Sequence, residues 1–188
     1  MNNPGTRLVN TAKYNASRFL GNHKIVRQPH AAFHFLLDYI PHWIQSYGSG
    51  GLIQYQSFIA TDKAADVFRE MLHLTQVRGL PSYLVVLKRH RPDNFLLSHA
   101  LDGYSLALDF KVTPKNRERL QILANDLNEI VLEAGGRFYF AKDSTLTSYQ
   151  TSQFLGDTTI KQFRALKDRC DPDGLLQTDL YRRLFSDS

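Results

Sequence analysis

One cysteine in 188 residues, Cys170, leaves nothing to form an internal disulfide. A disulfide-stapled secreted scaffold is therefore excluded, and a reducing compartment, or indifference to redox state, is the expectation. No apolar run approaches the roughly 20 residues that a membrane-spanning helix needs. Residues 1–10 lack the apolar centre of a secretory leader. Together these absences predict a cytoplasmic protein with no transmembrane segment. Charge of one sign is also scarce: 23 Lys and Arg stand against 18 Asp and Glu, a net charge of +5. That excess tolerates an anionic partner without demanding one. The densest basic cluster, Lys88-Arg89-His90-Arg91, reads as a solvated loop, and no nucleic-acid partner is expected. No Gly-x-Ser-x-Gly elbow or Walker loop occurs, so hydrolase and nucleotidase readings have no support.

What is present is the composition of a globular domain, 43% hydrophobic and 22% charged, with 12 Phe and 9 Tyr, a generous aromatic share. Residues 1–50 read as an irregular arm of short helical pieces holding Phe33, His34, Phe35, Trp43 and Tyr47 without a sustained helical period. The cluster Gly48-Ser49-Gly50-Gly51 ends the arm. Residues 52–59 are strand-like, and Ala64, Ala65, Phe68, Met71, Leu72 and Thr75 recur at helical spacing across 62–78. The run 83–87 predicts a short buried strand, and 104–110 alternates strictly, placing Tyr104, Leu106, Leu108 and Phe110 opposite Ser105, Ala107 and Asp109. Thr113-Pro114 opens a second helix whose stripe is Leu120, Leu123, Leu127, Ile130, Val131 and Ala134. Residues 137–141 form a fourth strand in this reading, and 144–188 hold short helices at 158–169 and near 178–184.

Strand, helix, strand, strand, helix, strand is the split βαβ order of an α+β, ferredoxin-like sheet with two helices on one face. The predicted organisation is an N-terminal arm at 1–50, the ferredoxin-like domain at 51–143 and a helical extension at 144–188. The alternation then puts Gln54, Gln56, Ser105, Ala107 and Tyr139 together on the face away from the helices. Such a face is ordinarily solvated. Amides, a hydroxyl and a phenol with few charges suit a neutral polyol or sugar better. Lys142 follows the fourth strand and could stabilise developing negative charge there, although a lone Lys142-Asp143 pair reads by itself as ordinary surface.

Three stretches carry a resemblance. They are Leu37-Asp38 with Trp43, Tyr47-Gly48 and Gln54-Tyr55-Gln56; Gly135-Gly136-Arg137-Phe138-Tyr139-Phe140-Ala141-Lys142-Asp143-Ser144; and Asp171-Pro172-Asp173-Gly174 with Thr178-Asp179-Leu180-Tyr181-Arg182-Arg183-Leu184. They resemble the C-terminal substrate domain of FAD-linked oxidoreductases of the vanillyl-alcohol-oxidase type. Within that family the bacterial group like decaprenylphosphoryl-ribose 2-oxidase is nearest. The likeness runs from about residue 10 to 184. It implies Lys142 near the pyrimidine end of the flavin and the substrate, as both a catalytic and a cofactor-binding residue, with Tyr139 lining the same pocket. Gln54, Gln56 and Lys88 are implied as substrate-binding residues. Ser105 stands in place of an asparagine, Ala107 in place of a reactive cysteine and His34 in place of a tyrosine, all facing the pocket. Leu36 replaces a proline before Asp38, and Trp43 braces the arm by packing.

The family's glycine-rich FAD-binding region precedes this part and is not among these residues. Gly48-Ser49-Gly50-Gly51 is no substitute, because it precedes a strand instead of following one into a helix. The implied partner is therefore a FAD-binding domain or subunit, and the isolated chain is expected to be inactive. The implied substrate is a sugar or a lipid-linked sugar, the latter met at a membrane surface. The alternative is a non-catalytic ferredoxin-like binding module, or a remnant of a split or truncated flavoenzyme. His30 and His34 have the i, i+4 spacing of a metal pair with His42 near, but Pro29 and the lack of completing ligands leave no metal site expected. Cys170 has no base partner and reads as a half-buried structural residue near a helix end.

Overall fold

The computed structural model describes residues 3–21, 24–35 and 42–186. The motif residues Leu36, Leu37 and Asp38 lie outside them. Four strands, β1 (Leu52–Ala60), β2 (Leu84–His90), β3 (Gly103–Lys111) and β4 (Arg137–Phe138), form one antiparallel sheet in the order β2-β3-β1-β4. With α3 (Ala64–Val77) between β1 and β2 and α4 (Arg117–Glu133) between β3 and β4, this is the ferredoxin-like arrangement that the element order predicts. Before the sheet lie α1 (Asn3–Ala16), α2 (His30–His34) and a 3₁₀ turn, Trp43–Tyr47; after it come α5 (Ser148–Leu155), α6 (Asp157–Cys170) and α7 (Asp179–Leu184).

The core lies between the sheet and α3 and α4. Ile59, Met71, Leu108, Leu123, Leu127 and Val131 are fully enclosed there. Each such side chain contributes about 1.5–3 kcal/mol through removal from water. The C-terminal helices join the same core through Leu146, Ile160, Leu184 and Phe185. Phe185 packs on Phe163 at 4.7 Å and on Phe140 at 5.7 Å between ring centroids.

Several local expectations change. The fourth strand is two residues long, not five: Tyr139 stays extended and donates its N–H to the Gln56 carbonyl, and then the chain turns into a 3₁₀ turn at Phe140–Lys142. β2 is an edge strand, not a buried one. Val85 and Leu87 remain 45% and 59% exposed because the helices cover the inner strands. The basic run is the end of β2 instead of a loop, with Arg89 paired to Asp102 and set over the Tyr104 ring. In the arm, α1 runs for 14 residues. Its side chains from 7 to 16 are exposed, so no core-facing stripe marks it in the sequence. α5 was not foreseen, and Cys170, the last residue of α6, is exposed instead of half-buried.

Candidate functional site

Strand register decides which side chains share the open face. On β1 and β3, Gln54 lies opposite Asp109, Gln56 opposite Ala107 and Phe58 opposite Ser105. On β2, Leu84, Val86 and Lys88 lie opposite Asp109, Ala107 and Ser105. The side-chain period of two therefore brings Gln54, Gln56, Ser105, Ala107 and Lys88 onto one face. The other face of β1 meets the helices, as the contact of the Ser57 hydroxyl with the Met71 sulfur on α3 records. Tyr139 reaches the open face from the residue after β4, its ring 4.8 Å from His99 and 6.5 Å from Phe58. Gln54, Gln56, Tyr139 and Lys142 line one narrow cleft along β1.

His34 is not brought into this group. It sits on α2, exposed, with ring contacts to His30, Phe33 and Phe35 of its own segment. Trp43 packs edge-on against Tyr47, which is buried and in turn meets Tyr83. Among the described residues no group of three or more His, Cys, Asp or Glu is placed to hold a metal ion.

The face is not an ordinary solvated one. Gln56, Ser105, Ala107 and Asp109 are all buried. At the Phe58 end the connection between β2 and β3, residues 91–102, approaches the face, and the Arg137 guanidinium holds it by donating to the Ser98 carbonyl at 2.9 Å; at the other end the buried Tyr47 lies near Asp109. From the connection His99 stacks within 4.6 Å of Phe58, and His90 meets the same ring at 4.8 Å. Phe58, His90 and His99 are thus part of the site, although sequence reasoning did not single them out. The alternation already put Phe58 in register with Gln54 and Gln56. The approach of His99 is a tertiary contact with no local signal.

The polar groups form two short chains. Gln54 Nε2 donates to Asp109 Oδ1 at 3.1 Å. Gln56 Nε2 donates to Ser105 Oγ at 3.1 Å, and His90 Nε2 lies 2.8 Å from that hydroxyl. One oxygen of each chain has no partner: Asp109 Oδ2 and Gln56 Oε1 are buried and accept no hydrogen bond. Buried acceptors left open are uncommon, and both oxygens are free to take a donor; the Tyr55 hydroxyl and Asn128 Oδ1, away from this face, are also without a partner.

Electrostatics agree with a partly dehydrated site. Burial raises the Asp109 carboxyl above its ordinary 3.8, against the opposing pull of Gln54 and Lys142. Burial lowers the Lys142 ammonium, with Lys88 adding and Asp109 opposing. Tyr47 is pushed up to about 12 by burial and by the nearby Asp109 charge. Burial also lowers His99, with Arg137 adding and Asp93 opposing. The site therefore holds a cation and a carboxyl that each resist their charged form.

Asp109→Asn is expected to stabilise the chain. The native carboxyl binds its proton more tightly than the unfolded one, so its ionisation costs stability above the raised value. That cost fades as pH falls through the raised value towards 3.8. Removing it adds about 1 kcal/mol near pH 7.5, which moves Tm up by about 2–4 °C for a domain of this size. Thermal melts from pH 4 to 8 should show the gain shrinking at the acid end. An absent gain would show that Lys142 fully compensates the charge, and a gain equally large at pH 4 would show that ionisation of Asp109 is not its source.

Fold and face together define a ferredoxin-like α+β domain whose sheet face away from the helices is a dehydrated polar wall ending in a lysine. No family model matches the chain. Over 153 residues, 81% of its length, it is 33% identical to the decaprenylphosphoryl-beta-D-ribose oxidase of Mycolicibacterium smegmatis. The chain is related to that oxidase, as its motifs imply, and spans about a third of the relative's length, 32%.

Proposed function

We propose that this chain is the substrate-binding portion of a FAD-dependent oxidoreductase that oxidises a carbinol of a sugar or sugar-derived alcohol. One observation carries the reading. Two unpartnered buried acceptors, Gln56 Oε1 and Asp109 Oδ2, share a sheet face with a partly dehydrated lysine, Lys142. A polyol supplies the donors that those oxygens lack. The similarity to an oxidase named for a sugar substrate points to the same chemistry.

The donor set fits a flavin. A dehydrated ammonium at the edge of a polar wall is suited to hold an isoalloxazine that gains negative charge on reduction, and Lys142 is the residue that would do so. FAD, when bound, supplies the hydride acceptor. The rest falls to this chain's own side chains. Gln56 and Asp109 accept hydroxyl hydrogens, Gln54 fixes the Asp109 carboxyl, and Lys88 reaches a hydroxyl or a phosphate oxygen from β2. Tyr139 walls the cleft, and the small Ser105 and Ala107 lie beside it on the same face of β3, opposite Phe58 and Gln56. In this scheme 51–143 is the substrate domain, 144–188 its helical extension, and 1–50 an arm that follows a FAD-binding domain. A lipid-linked sugar would bring the enzyme to a membrane surface.

The test is reconstitution. The isolated chain is expected to bind FAD no tighter than about 10 μM. Joined to a FAD-binding domain of an oxidase of this group, it should give yellow protein that a sugar alcohol bleaches anaerobically. Tight FAD binding by the chain alone would overturn the division of labour. A yellow complex that no sugar or sugar alcohol bleaches would overturn the activity and leave a binding module.

A further inference from the structure

We propose that His90 is a positioning residue: through Ser105 it holds the Gln56 side-chain amide so that the amide oxygen is left to accept a hydrogen bond from a substrate hydroxyl. The proposal rests on reading this face as the substrate wall.

Ser105 is fully buried and Gln56 nearly so. The serine hydroxyl lies within hydrogen-bond reach of two groups, Gln56 Nε2 at 3.1 Å and His90 Nε2 at 2.8 Å. It owns a single hydrogen and accepts through its lone pairs. With the Gln56 N–H donated to it, its own hydrogen goes to His90 Nε2. That direction requires a neutral ring carrying its proton on Nδ1. Within this chain of Gln56, Ser105 and His90, Gln56 Oε1 is the acceptor left unclaimed.

The surroundings keep the ring neutral. Burial lowers His90 below its ordinary 6.5, and the cationic Lys88 and Arg89 on its own strand and His99 from the 91–102 connection act in the same direction. The remaining neighbours are uncharged: the Phe58 ring on β1 at 4.8 Å and the Ser105 hydroxyl on β3.

Protonation reverses the relay. A charged ring donates from Nε2 to Ser105, and the serine hydrogen must then turn to Gln56. The amide can receive it only by flipping, which turns its N–H₂ to the position where the oxygen stood. The site thereby changes from an acceptor of a hydroxyl hydrogen to a donor. His90 thus makes sugar binding pH-dependent without touching the sugar. In the native chain the ring is neutral above its lowered value, so binding is full at neutral pH and is lost as pH falls through that value.

Two measurements test this. Nuclear magnetic resonance of the 188-residue chain follows the Gln56 side-chain amide and the His90 ring. The expected result is a Gln56 amide signal that moves with the same midpoint as His90, below pH 6.5, that loses this pH dependence in His90→Phe, and that shifts to the position of a free amide in Ser105→Ala. An amide that ignores the His90 titration, or is unchanged in both variants, would overturn the proposal. If His90→Phe does not fold, Ser105→Ala alone decides. In the reconstituted flavoenzyme, His90→Phe should raise KM for the sugar alcohol about tenfold, abolish the acid-side rise of KM, and leave kcat within about twofold. A fall in kcat at unchanged KM would overturn the positioning role. No turnover by the unaltered enzyme would sink the proposed activity instead, and the amide titration still decides the relay.

Discussion

Replacing Lys142 by alanine is expected to slow substrate-dependent flavin reduction in the assembled enzyme by about 10²- to 10³-fold, the loss typical of removing one preorganised charge-stabilising group. The lysine owes its value to its place. It ends the 3₁₀ turn Phe140–Lys142 that follows β4, in the cleft with Gln54, Gln56 and Tyr139. Burial has already removed part of its water, and Lys88 repels it while Asp109 attracts it. A cation so placed is ready for an arriving negative charge and needs little reorganisation when it comes. Substrate affinity should change less than rate, since the proposed hydroxyl acceptors are Gln56 and Asp109. Alanine also removes a charge that holds Asp109 down, so that carboxyl should titrate higher still in the variant. Lys142→Arg keeps the charge but spreads it over a planar fork, and should recover only part of the rate. Rapid-mixing measurement of the reductive half-reaction gives the number directly. Reduction at the unaltered rate in the alanine variant would remove Lys142 from the chemistry.

How far such a site can be read without coordinates depends on whether its parts are local. The strict alternation of 104–110 and the period of the two central helices are local, and they were sufficient for the ferredoxin-like order and for which side of β1 and β3 is polar. Gln54, Gln56, Ser105 and Ala107 followed from that alternation alone. Lys88 and Lys142 had no such signal. Their neighbourhoods depend on β2 running to His90 and on the chain turning after Phe138, and Lys88 was reached through the resemblance. Burial of the polar face was not legible at all. It depends on contacts distant in sequence, such as the 91–102 connection folding back to Phe58, fixed by Arg137 on Ser98, residues 39 apart, and Tyr47 coming near Asp109. α5 was legible in principle. Thr147 and Gln150 form a reciprocal capping box at its start, a short-range signal that outweighs the weak apolar pattern of the helix itself. The solvated-loop reading of the basic run failed for a related reason. Charges on an edge strand are common because they guard its free backbone, so a charged run ending a strand looks like a loop.

Asp143→Ala should cost about 3 kcal/mol and lower Tm by about 6–12 °C, because one carboxylate holds the turn behind Lys142 and ties it to the C-terminal helix. Its side chain is 6% exposed and meets Arg183 of α7 at 2.8 Å. Asp143 Oδ1 accepts the N–H groups of Thr145 and Leu146, both at 2.9 Å. Arg183 also donates to the Leu146 carbonyl, so the guanidinium and the carboxylate clasp the same turn from two sides. Alanine strands two backbone donors and takes the carboxylate partner from the guanidinium at once, which is why the loss exceeds that of a surface pair. Asp143→Asn keeps an acceptor for the backbone and loses only the charge, so it should fall between the alanine variant and the unaltered chain. A double-mutant cycle with Arg183→Ala isolates the pair, with a coupling of about 1–2 kcal/mol expected. The functional consequence follows from adjacency. Lys142 immediately precedes Asp143, so loosening the turn should lower the flavin reduction rate even at temperatures where the variant remains folded. A cost within about 0.5 kcal/mol would mean that the aromatic packing of Phe140 against Phe154 and Phe185 holds the extension alone.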